Sequence, residues 1–354
     1  MGSVDTWTGY WGRLRPARPA IAVGARILTW GSLADRSSRL AAGLAAEGAG
    51  RGHRIGVLPD DPAAVIEVIA ACARLGAVAV PLDPASDPGR LRAMVAGAGL
   101  WALMTDLELG NVSAPAMSDA GEAAMDEPLL MLHTRGTTTG VPRAATLTHG
   151  NVEAVAVAAI AADGLVPPDC VGIAIPPTAP TGLAAVLGAL HAGALIRFGD
   201  LEELLGDDDQ PRPTVLVTTC EQLERPGMTA RLAEVSDPPV RGGLRLVKAP
   251  GPVREALRRE CRSRAIPFGE IFGLAESGGL ILQQSRFREP ADGLVPVLGQ
   301  QARVVDATGA TAPAGQPGEL VLAGSAVAGD GWLHTGDLAV EGRDGSLTIL
   351  GRQQ

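Results

Sequence analysis

The sequence predicts an α/β protein, with a doubly wound α/β body followed by a small antiparallel β unit. Three observations support this fold class. A strand–helix–strand pattern runs from residue 54 to residue 82. The same alternation of strand and helix returns between residues 171 and 272. After about residue 290 the helical patterns stop, and short strand-like segments follow one another.

The N-terminal third contains a helix and then a βαβ unit. An apolar stripe of helical spacing runs from Leu33 to Leu44. The strand Arg54–Leu58 precedes Asp61-Pro62, which is typical of an N-cap followed by a first-turn proline. That helix ends at Gly76, and a second strand covers Val78–Leu82. Because such crossovers join parallel strands, we expect a parallel sheet here.

The remaining elements repeat this pattern and then change character. A helix is predicted at Gly182–Ala192, and strands around and after it at Val171–Ile175, Ala194–Phe198, Thr214–Thr219, Leu244–Val247 and Pro267–Phe272. The strands of the antiparallel unit are predicted at Arg303–Asp306, Glu319–Leu322, Leu338–Glu341 and Ser346–Leu350. Asp344-Gly345 is typical of a hairpin turn.

Composition limits the classes of function. Hydrophobic residues make up 46% and charged residues 19% of the 354 residues, which is typical of a globular protein and not of a disordered one. The net charge of −9 argues against a nucleic-acid partner, and the apolar runs are too interrupted for a membrane span. The sequence shows no export signal and no C-x-x-C spacing among its cysteines, so we expect a cytoplasmic location and reduced thiols.

The densest chemical signal is the segment His133–Ala144, which reads HTRGTTTGVPRA. Its glycines let backbone N–H groups turn toward an anion, its threonines add hydrogen bonds, and Arg143 adds positive charge. The composition indicates a phosphate-binding loop or, as the plainer alternative, an ordinary turn. The segment lacks the lysine of the G-x-x-x-x-G-K-[ST] loop. No G-x-G-x-x-G follows an early strand, which disfavours a dinucleotide-dependent oxidoreductase.

This segment resembles the phosphate loop of the adenylate-forming superfamily, which includes acyl-CoA synthetases, aryl-acid ligases, luciferases and nonribosomal adenylation domains. That family has T-S-G-[ST]-T-G-x-P-K-G and then T-H-x-N, and here Thr148–Asn151 reads THGN. Further segments resemble the family's motifs in the same order: ILTWGSL at 27–33, RGHRI at 51–55, GAVAVPLDP at 76–84, FGLAE at 272–276, GEL at 318–320, TGD at 335–337 and GR at 351–352.

The resemblance implies the fold of the family's large N-terminal domain, with two doubly wound βαβ subdomains and a small distorted β-barrel. It divides the chain into a first α/β subdomain with the phosphate loop (1–165), a second α/β subdomain (166–290) and a small antiparallel β subdomain (291–350). Residues 351–354 would begin the hinge. The mobile C-terminal domain with its lysine would be absent here, because it was removed, is supplied by another protein, or was lost with the chemistry.

The resemblance also implies the site residues. Thr138, His149 and Glu276 would be catalytic, and Glu276 would bind Mg²⁺, which prefers carboxylate and phosphate oxygens. Asp337 and Arg352 would hold the ribose of ATP. The other ATP-binding residues would be Thr134, Gly136, Thr137, Thr139, Gly140, Arg143, Gly251, Phe272 and Gly273.

The implied reaction joins a substrate carboxylate to the α-phosphate of ATP and releases pyrophosphate. The thiol of CoA or of a phosphopantetheine carrier protein then takes the acyl group. Ala179, Pro180, Gly182 and Gly273 would line the acid pocket. Pro180 falls where amino-acid-activating relatives place an aspartate, which favours a neutral or acyl-type acid. The implied partners are this small carboxylic acid and an acyl carrier protein or a separately supplied C-terminal domain.

Several residues depart from the family pattern within the site. Arg135 occupies the position of a small serine, and the loop contains one extra threonine. Arg143 replaces a lysine. Ala275 replaces a threonine that would contact the α-phosphate. The sole lysine, Lys248, precedes the segment 249–252 (APGP), which resembles the family's turn that packs against adenine. The sequence therefore leaves two hypotheses. The protein is an AMP-forming acid–thiol ligase, or it is a catalytically impaired relative that binds an acyl or nucleotide ligand or a partner protein without turnover.

Overall fold

The structure, a computed structural model, describes residues 2–58, 60–105, 123–134, 143–206, 210–236, 243–284 and 293–353. Its helices are α1 (Val4–Leu14), α2 (Trp30–Ala46), α3 (Pro62–Leu75), α4 (Pro88–Ala98), α5 (His149–Asp163), α6 (Pro180–Ala192), α7 (Leu201–Leu204), α8 (Cys220–Leu223), α9 (Met228–Val235) and α10 (Glu255–Ser263). A 3₁₀ turn, η1, covers Ala275–Ser277.

The strands are β1 (Pro19–Val23), β2 (Arg26–Thr29), β3 (Arg54–Val57), β4 (Val78–Pro81), β5 (Ala102–Met104), β6 (Pro128–His133), β7 (Ala144–Thr148), β8 (Cys170–Ile173), β9 (Leu195–Phe198), β10 (Val215–Val217), β11 (Leu246–Pro250), β12 (Phe268–Phe272), β13 (Leu282–Gln284), β14 (Leu294–Pro296), β15 (Gln300–Val305), β16 (Pro317–Gly324), β17 (Leu333–Glu341) and β18 (Leu347–Arg352). They form two sheets.

The smaller sheet has the strand order β5-β3-β4-β6-β7. Its first four strands are parallel, and β7 returns antiparallel to β6. The predicted βαβ unit is confirmed, since β3 and β4 pair in parallel with α3 between them. The Asp61 side chain accepts a hydrogen bond from the Ala63 N–H at the start of α3, and Gly76 ends the helix in the left-handed conformation.

The larger sheet has the order β15-β16-β17-β18-β14-β13-β12-β11-β10-β8-β9-β1-β2. Strands β1 and β8–β12 pair in parallel, whereas β13–β18 pair in antiparallel fashion. The predicted change from parallel to antiparallel structure is therefore confirmed. The antiparallel strands continue the parallel sheet directly through β13, which pairs with β12.

The hairpin of β1 and β2 shows that strand pairing does not follow chain order. Residues 19–29 lie within the first predicted subdomain, yet β1 pairs with β9 of the second. The signal for this placement is not local, because β1 and β9 are far apart in the chain. The division at residues 165 and 290 therefore stays a proposal.

Helices α5 and α6 pack against each other between the two sheets, since α5 contacts β6 and β7 and α6 contacts β8 and β9. The N-terminal helix α1, which the sequence analysis did not identify, packs on α6: the Trp7 ring lies 4.7 Å from that of His191. Val4, Trp7 and Trp11 have the helical spacing that is its signal. No helix in the described ranges is both long enough and apolar enough to cross a bilayer.

Candidate active site

The predicted phosphate loop connects the antiparallel strands β6 and β7. The Thr134 N–H donates to the Arg143 carbonyl (2.8 Å), and the Arg143 N–H donates to the Thr134 hydroxyl (3.1 Å), which closes the stem of the loop. The predicted residues between them lie outside the described residues: Gly136, Thr137, Thr138, Thr139 and Gly140. The structure therefore shows where the loop starts and ends, and the roles of these residues stay predictions.

Arg90 of α4 reaches this stem, although no sequence motif had indicated it. Its guanidinium donates to the Thr134 carbonyl (2.9 Å). Its Nε is buried with no hydrogen-bond partner among the described residues. Burial, and then the Arg90 charge, lower the pKa of His133 below its ordinary value. Because α4 follows β4, and β4 is parallel to β6, α4 starts at the sheet edge from which the loop leaves.

The turn that follows β12 places Glu276 beside the loop hairpin. The Leu274 N–H donates to the Ser277 hydroxyl (3.0 Å), and the Gly279 N–H donates to the Leu274 carbonyl (2.9 Å), so this turn is closed on itself. η1, which carries the partly exposed Glu276, contacts both β6 and β7. Glu276 is therefore held next to the two strands between which the phosphate loop runs.

The residues predicted to line the acid pocket lie against the same turn. Ala179 is the N-cap of α6, and Pro180 is its first residue. Gly279 has a φ of +94°, and a Cβ there would overlap the Pro180 carbonyl, so glycine is required for this close approach. Gly182 packs tightly on the backbone that precedes α6, and Gly273 packs on the backbone of Gly279. The structure thus brings these four predicted pocket residues together.

Gly251 lies in the turn after β11, at the same sheet edge as Phe272. Its N–H donates to the Ile271 carbonyl of the neighbouring parallel strand (3.1 Å). The Glu270 carboxylate lies against Gly251 and pairs with Arg258. Phe272 packs against the apolar core of the antiparallel strands. Gly251 and Phe272 are therefore neighbours at the edge where the Glu276 turn begins.

Asp337 and Arg352 pair across β17 and β18, with the Asp337 Oδ1 3.1 Å from the Arg352 Nε. The Arg352 guanidinium also donates to the Thr335 carbonyl, and the Asp337 N–H donates to the Thr335 hydroxyl (3.0 Å). Asp337 is only 6% exposed, and its Oδ2 has no hydrogen-bond partner among the described residues. Burial raises the pKa of Asp337, and the Arg352 charge opposes this rise. A buried acceptor without a donor is costly, so Oδ2 is suited to a ligand hydroxyl.

Two of the predicted catalytic residues lie within the described ranges. Glu276 is partly exposed, whereas His149 is buried. Its ring is 1% exposed, and its Nδ1 lies 2.5 Å from the Ser3 hydroxyl oxygen. Burial lowers the pKa of His149, so its imidazole is neutral near pH 7. His149 therefore connects the N-terminal segment to α5, and its catalytic role stays a prediction. Lys248 is also buried, with its Nζ 2.5 Å from the Asp163 carboxylate.

The arrangement suits a Mg²⁺–nucleotide complex better than a preformed metal site. In the part of the chain that the structure describes, no three His, Cys, Asp or Glu side chains are grouped to hold a metal ion. A single carboxylate at Glu276 suits Mg²⁺, which usually completes its coordination with phosphate oxygens and water. The unpartnered Asp337 Oδ2 suits the hydroxyls of a ribose.

The whole chain is similar to known proteins of one family. A family model described as AMP-binding enzyme matches residues 10–121 and 110–330. Feruloyl-CoA synthase from Amycolatopsis sp. is 28% identical and aligns with 99% of this chain and 78% of its own. 2-Succinylbenzoate–CoA ligase from Bacillus cereus (strain Q1) is 25% identical and aligns with 100% of this chain and 79% of its own.

A solved structure shows the same fold. The o-succinylbenzoate coenzyme A synthetase from Bacillus subtilis, in complex with ATP and magnesium ion, matches with a TM-score of 0.85 at 22% identity. The match covers 98% of this chain and 79% of that chain. The predicted fold class is therefore confirmed.

Proposed function

The chain belongs to the AMP-binding enzyme family, and we propose that it is the large N-terminal part of an AMP-forming acid–thiol ligase. In the first step a carboxylate oxygen of the substrate attacks the α-phosphorus of ATP. The bond from this phosphorus to the bridging oxygen breaks, and pyrophosphate leaves with the electron pair. In the second step a thiol sulfur attacks the acyl carbon, AMP leaves with the electron pair of the acyl–oxygen bond, and the thiol proton passes to solvent.

The observation that carries this proposal is the position of Glu276 against the hairpin whose loop begins at Thr134 and ends at Arg143. Negative charge builds on phosphate oxygens as pyrophosphate leaves, and enzymes meet this charge with positioned cations and N–H donors. The loop, Thr138 included, would hold the β- and γ-phosphates, and Glu276 would hold Mg²⁺. When bound, Mg²⁺ supplies positive charge at these oxygens.

The ribose would bind at Asp337. Its Oδ2 is a buried acceptor that lacks a partner among the described residues, and Arg352 fixes the carboxylate through Oδ1. The turn at Gly251 and the end of β12 at Phe272 would flank the adenine.

We propose an acid without an α-ammonium group as the substrate and CoA as the acyl acceptor. Pro180, at the first position of α6, offers no charge to an ammonium group. The two relatives described above are, by name, a feruloyl-CoA synthase and a 2-succinylbenzoate–CoA ligase. These names favour an aryl acid and CoA over an amino acid and a carrier protein. A cytoplasmic location, a carrier-protein acceptor and a separate C-terminal domain stay predictions.

A second candidate function is ligand binding without turnover. Ala275 favours it, because its methyl group is packed in the main core at 4% exposure and offers no hydroxyl to an α-phosphate. An enzyme that lacks this contact would still bind ATP through the loop and Asp337.

Pyrophosphate release and calorimetric ATP binding separate these functions. The chain, alone and with the C-terminal domain of a relative added, is incubated with Mg²⁺, ATP, CoA and a panel of aryl, fatty and amino acids. We expect ATP binding and acid-dependent pyrophosphate release, strongest with aryl acids. ATP binding without release for any acid would favour the second candidate. No ATP binding at millimolar concentration would overturn the ligase function and the nucleotide-binding form of the second candidate.

A further inference from the structure

A short turn at residues 325–328 touches both the start of α5 and the Glu276 turn. The Asn151 side-chain amide donates from Nδ2 to the carbonyls of Ser325 (2.9 Å) and Val327 (3.2 Å). On the other side of the turn, the Ala328 N–H donates to the Glu276 carbonyl (2.7 Å). Asn151 and Glu276 are 125 residues apart in the chain, yet three hydrogen bonds connect them through one turn.

The other end of the Asn151 side chain binds the end of β7 that lies away from the phosphate loop. Its Oδ1 accepts hydrogen bonds from the Thr148 N–H (2.9 Å) and from the Thr148 hydroxyl (3.0 Å). Thr148 is both the last residue of β7 and the N-cap of α5, and it pairs with Pro128 at the end of the hairpin opposite to the loop. Asn151 therefore anchors the start of α5 to the turn that holds the backbone of Glu276.

The turn itself is well packed, so a displacement of one side of the turn would also displace the other side. Ala326 and Val327 are almost fully buried, and the Ala326 N–H donates to the Gln300 side chain (3.3 Å). A shift of the turn would move the Ala328 N–H and, with it, the Glu276 carbonyl. Because transition-state stabilisation depends on placement to within about 1 Å, such a shift would be felt at the carboxylate.

We propose that Asn151 is a positioning residue for the Glu276 carboxylate, and that it sets how strongly Mg²⁺ strengthens ATP binding. This inference rests on the proposed function of Glu276. Asn151 does not touch the nucleotide in this proposal. Its Nδ2 holds the turn at residues 325–328, and this turn holds the backbone of Glu276, so the Asn151 donor sets where the metal-binding acid lies relative to α5.

The test compares Asn151→Asp with Thr148→Ala. Asn151→Asp keeps the acceptor for Thr148 but removes the donor to Ser325 and Val327. Thr148→Ala is the matched control, because it weakens the helix cap and leaves that donor in place. ATP binding is measured by calorimetry with Mg²⁺ and with EDTA, so the readout does not depend on turnover. The Mg²⁺ ratio is the ATP affinity with Mg²⁺ divided by the ATP affinity with EDTA. We expect this ratio to fall about tenfold in Asn151→Asp, as for a lost hydrogen bond to a constrained site, and to stay unchanged in Thr148→Ala.

Hydrogen exchange provides a second measurement in the folded protein. In Asn151→Asp, peptides covering residues 324–330 should exchange at least several-fold faster than in the wild type, because the turn loses the two hydrogen bonds that Asn151 donates to it. If Asn151→Asp does not fold, Asn151→Ala removes the donor without adding a charge; it also removes the acceptor for Thr148, a loss that Thr148→Ala controls for, and it is measured in the same way.

Three results would overturn the inference. The first is an unchanged Mg²⁺ ratio in the Asn151 variants, and the second is an equal fall in Thr148→Ala. In either case the wild type would still bind Mg²⁺–ATP, and the proposed function would stand. The third is a wild type whose ATP affinity does not respond to Mg²⁺, which would remove the proposed role of Glu276 and the inference together.

Discussion

The buried pair of Lys248 and Asp163 allows a quantitative prediction about stability. Lys248 on β11 and Asp163 at the end of α5 are each almost fully buried, with 2.5 Å between Nζ and the carboxylate. The Gln283 amide donates to the other carboxylate oxygen (3.1 Å). Lys248→Met keeps the apolar stem in place and removes the ammonium charge, so it isolates the cost of leaving Asp163 without this cation.

Removing one partner of a buried ion pair costs about 3–5 kcal/mol. With an unfolding entropy of about 2 cal/mol/K per residue, a loss of ~4 kcal/mol lowers the melting midpoint by about 5 °C in a chain of this length.

We therefore expect Lys248→Met to lose about 3–5 kcal/mol of the free energy of unfolding, measured by urea unfolding. The double variant Lys248→Met/Asp163→Asn should recover most of this loss, because its neutral amide still accepts from Gln283. A loss below about 1 kcal/mol, or a double variant as unstable as the single one, would refute the reasoning.

Three further predictions concern the site and its supports. Asp337→Asn should weaken ATP binding about tenfold or more in calorimetry, because the ribose loses a charged acceptor, and a change below about twofold would contradict this role. His149 has a lowered pKa, so the unfolded chain takes up a proton first as the pH falls below about 6.5, and stability is lost by up to ~1.4 kcal/mol per pH unit. His149→Gln should remove this part of the slope in urea unfolding between pH 7.5 and 5, and an unchanged slope would count against a buried neutral imidazole. Arg90→Met should weaken pyrophosphate binding several-fold, because Arg90 holds the Thr134 carbonyl at the start of the loop, whereas Arg92→Met on the exposed side of α4 should not. Equal effects of the two variants would argue for a general charge effect.

The placement of the site elements could be predicted only in part from the sequence. The loop between β6 and β7, the turn with Glu276 and the pair of Asp337 and Arg352 were each indicated by a short motif. The structure brings the first two together through η1 and shows the third as a pair. Arg90 was missed, because its link to the loop depends on the parallel pairing of β4 with β6 and not on any spacing in the chain.

The exposure of individual side chains was the least predictable property. His149 lies within the THGN motif and was expected to be catalytic, but the structure buries its ring against Ser3. Ser3 is the N-cap of α1, and the position of α1 depends on its packing with α6 far along the chain. The motif therefore located the residue but did not show whether its side chain is exposed or buried.

The sequence by itself determined the strand and helix pattern, the change from parallel to antiparallel structure and the identity of the candidate site residues. These signals are local, because helical spacing, caps and glycine turns act over a few residues. The tertiary structure alone decided that β1 pairs with β9, that Lys248 is buried with Asp163, and that Asn151 reaches the turn behind Glu276. Such contacts depend on how sheets and helices pack. Residues that become buried or paired through this packing have no fixed spacing in the chain, so no sequence pattern predicts them.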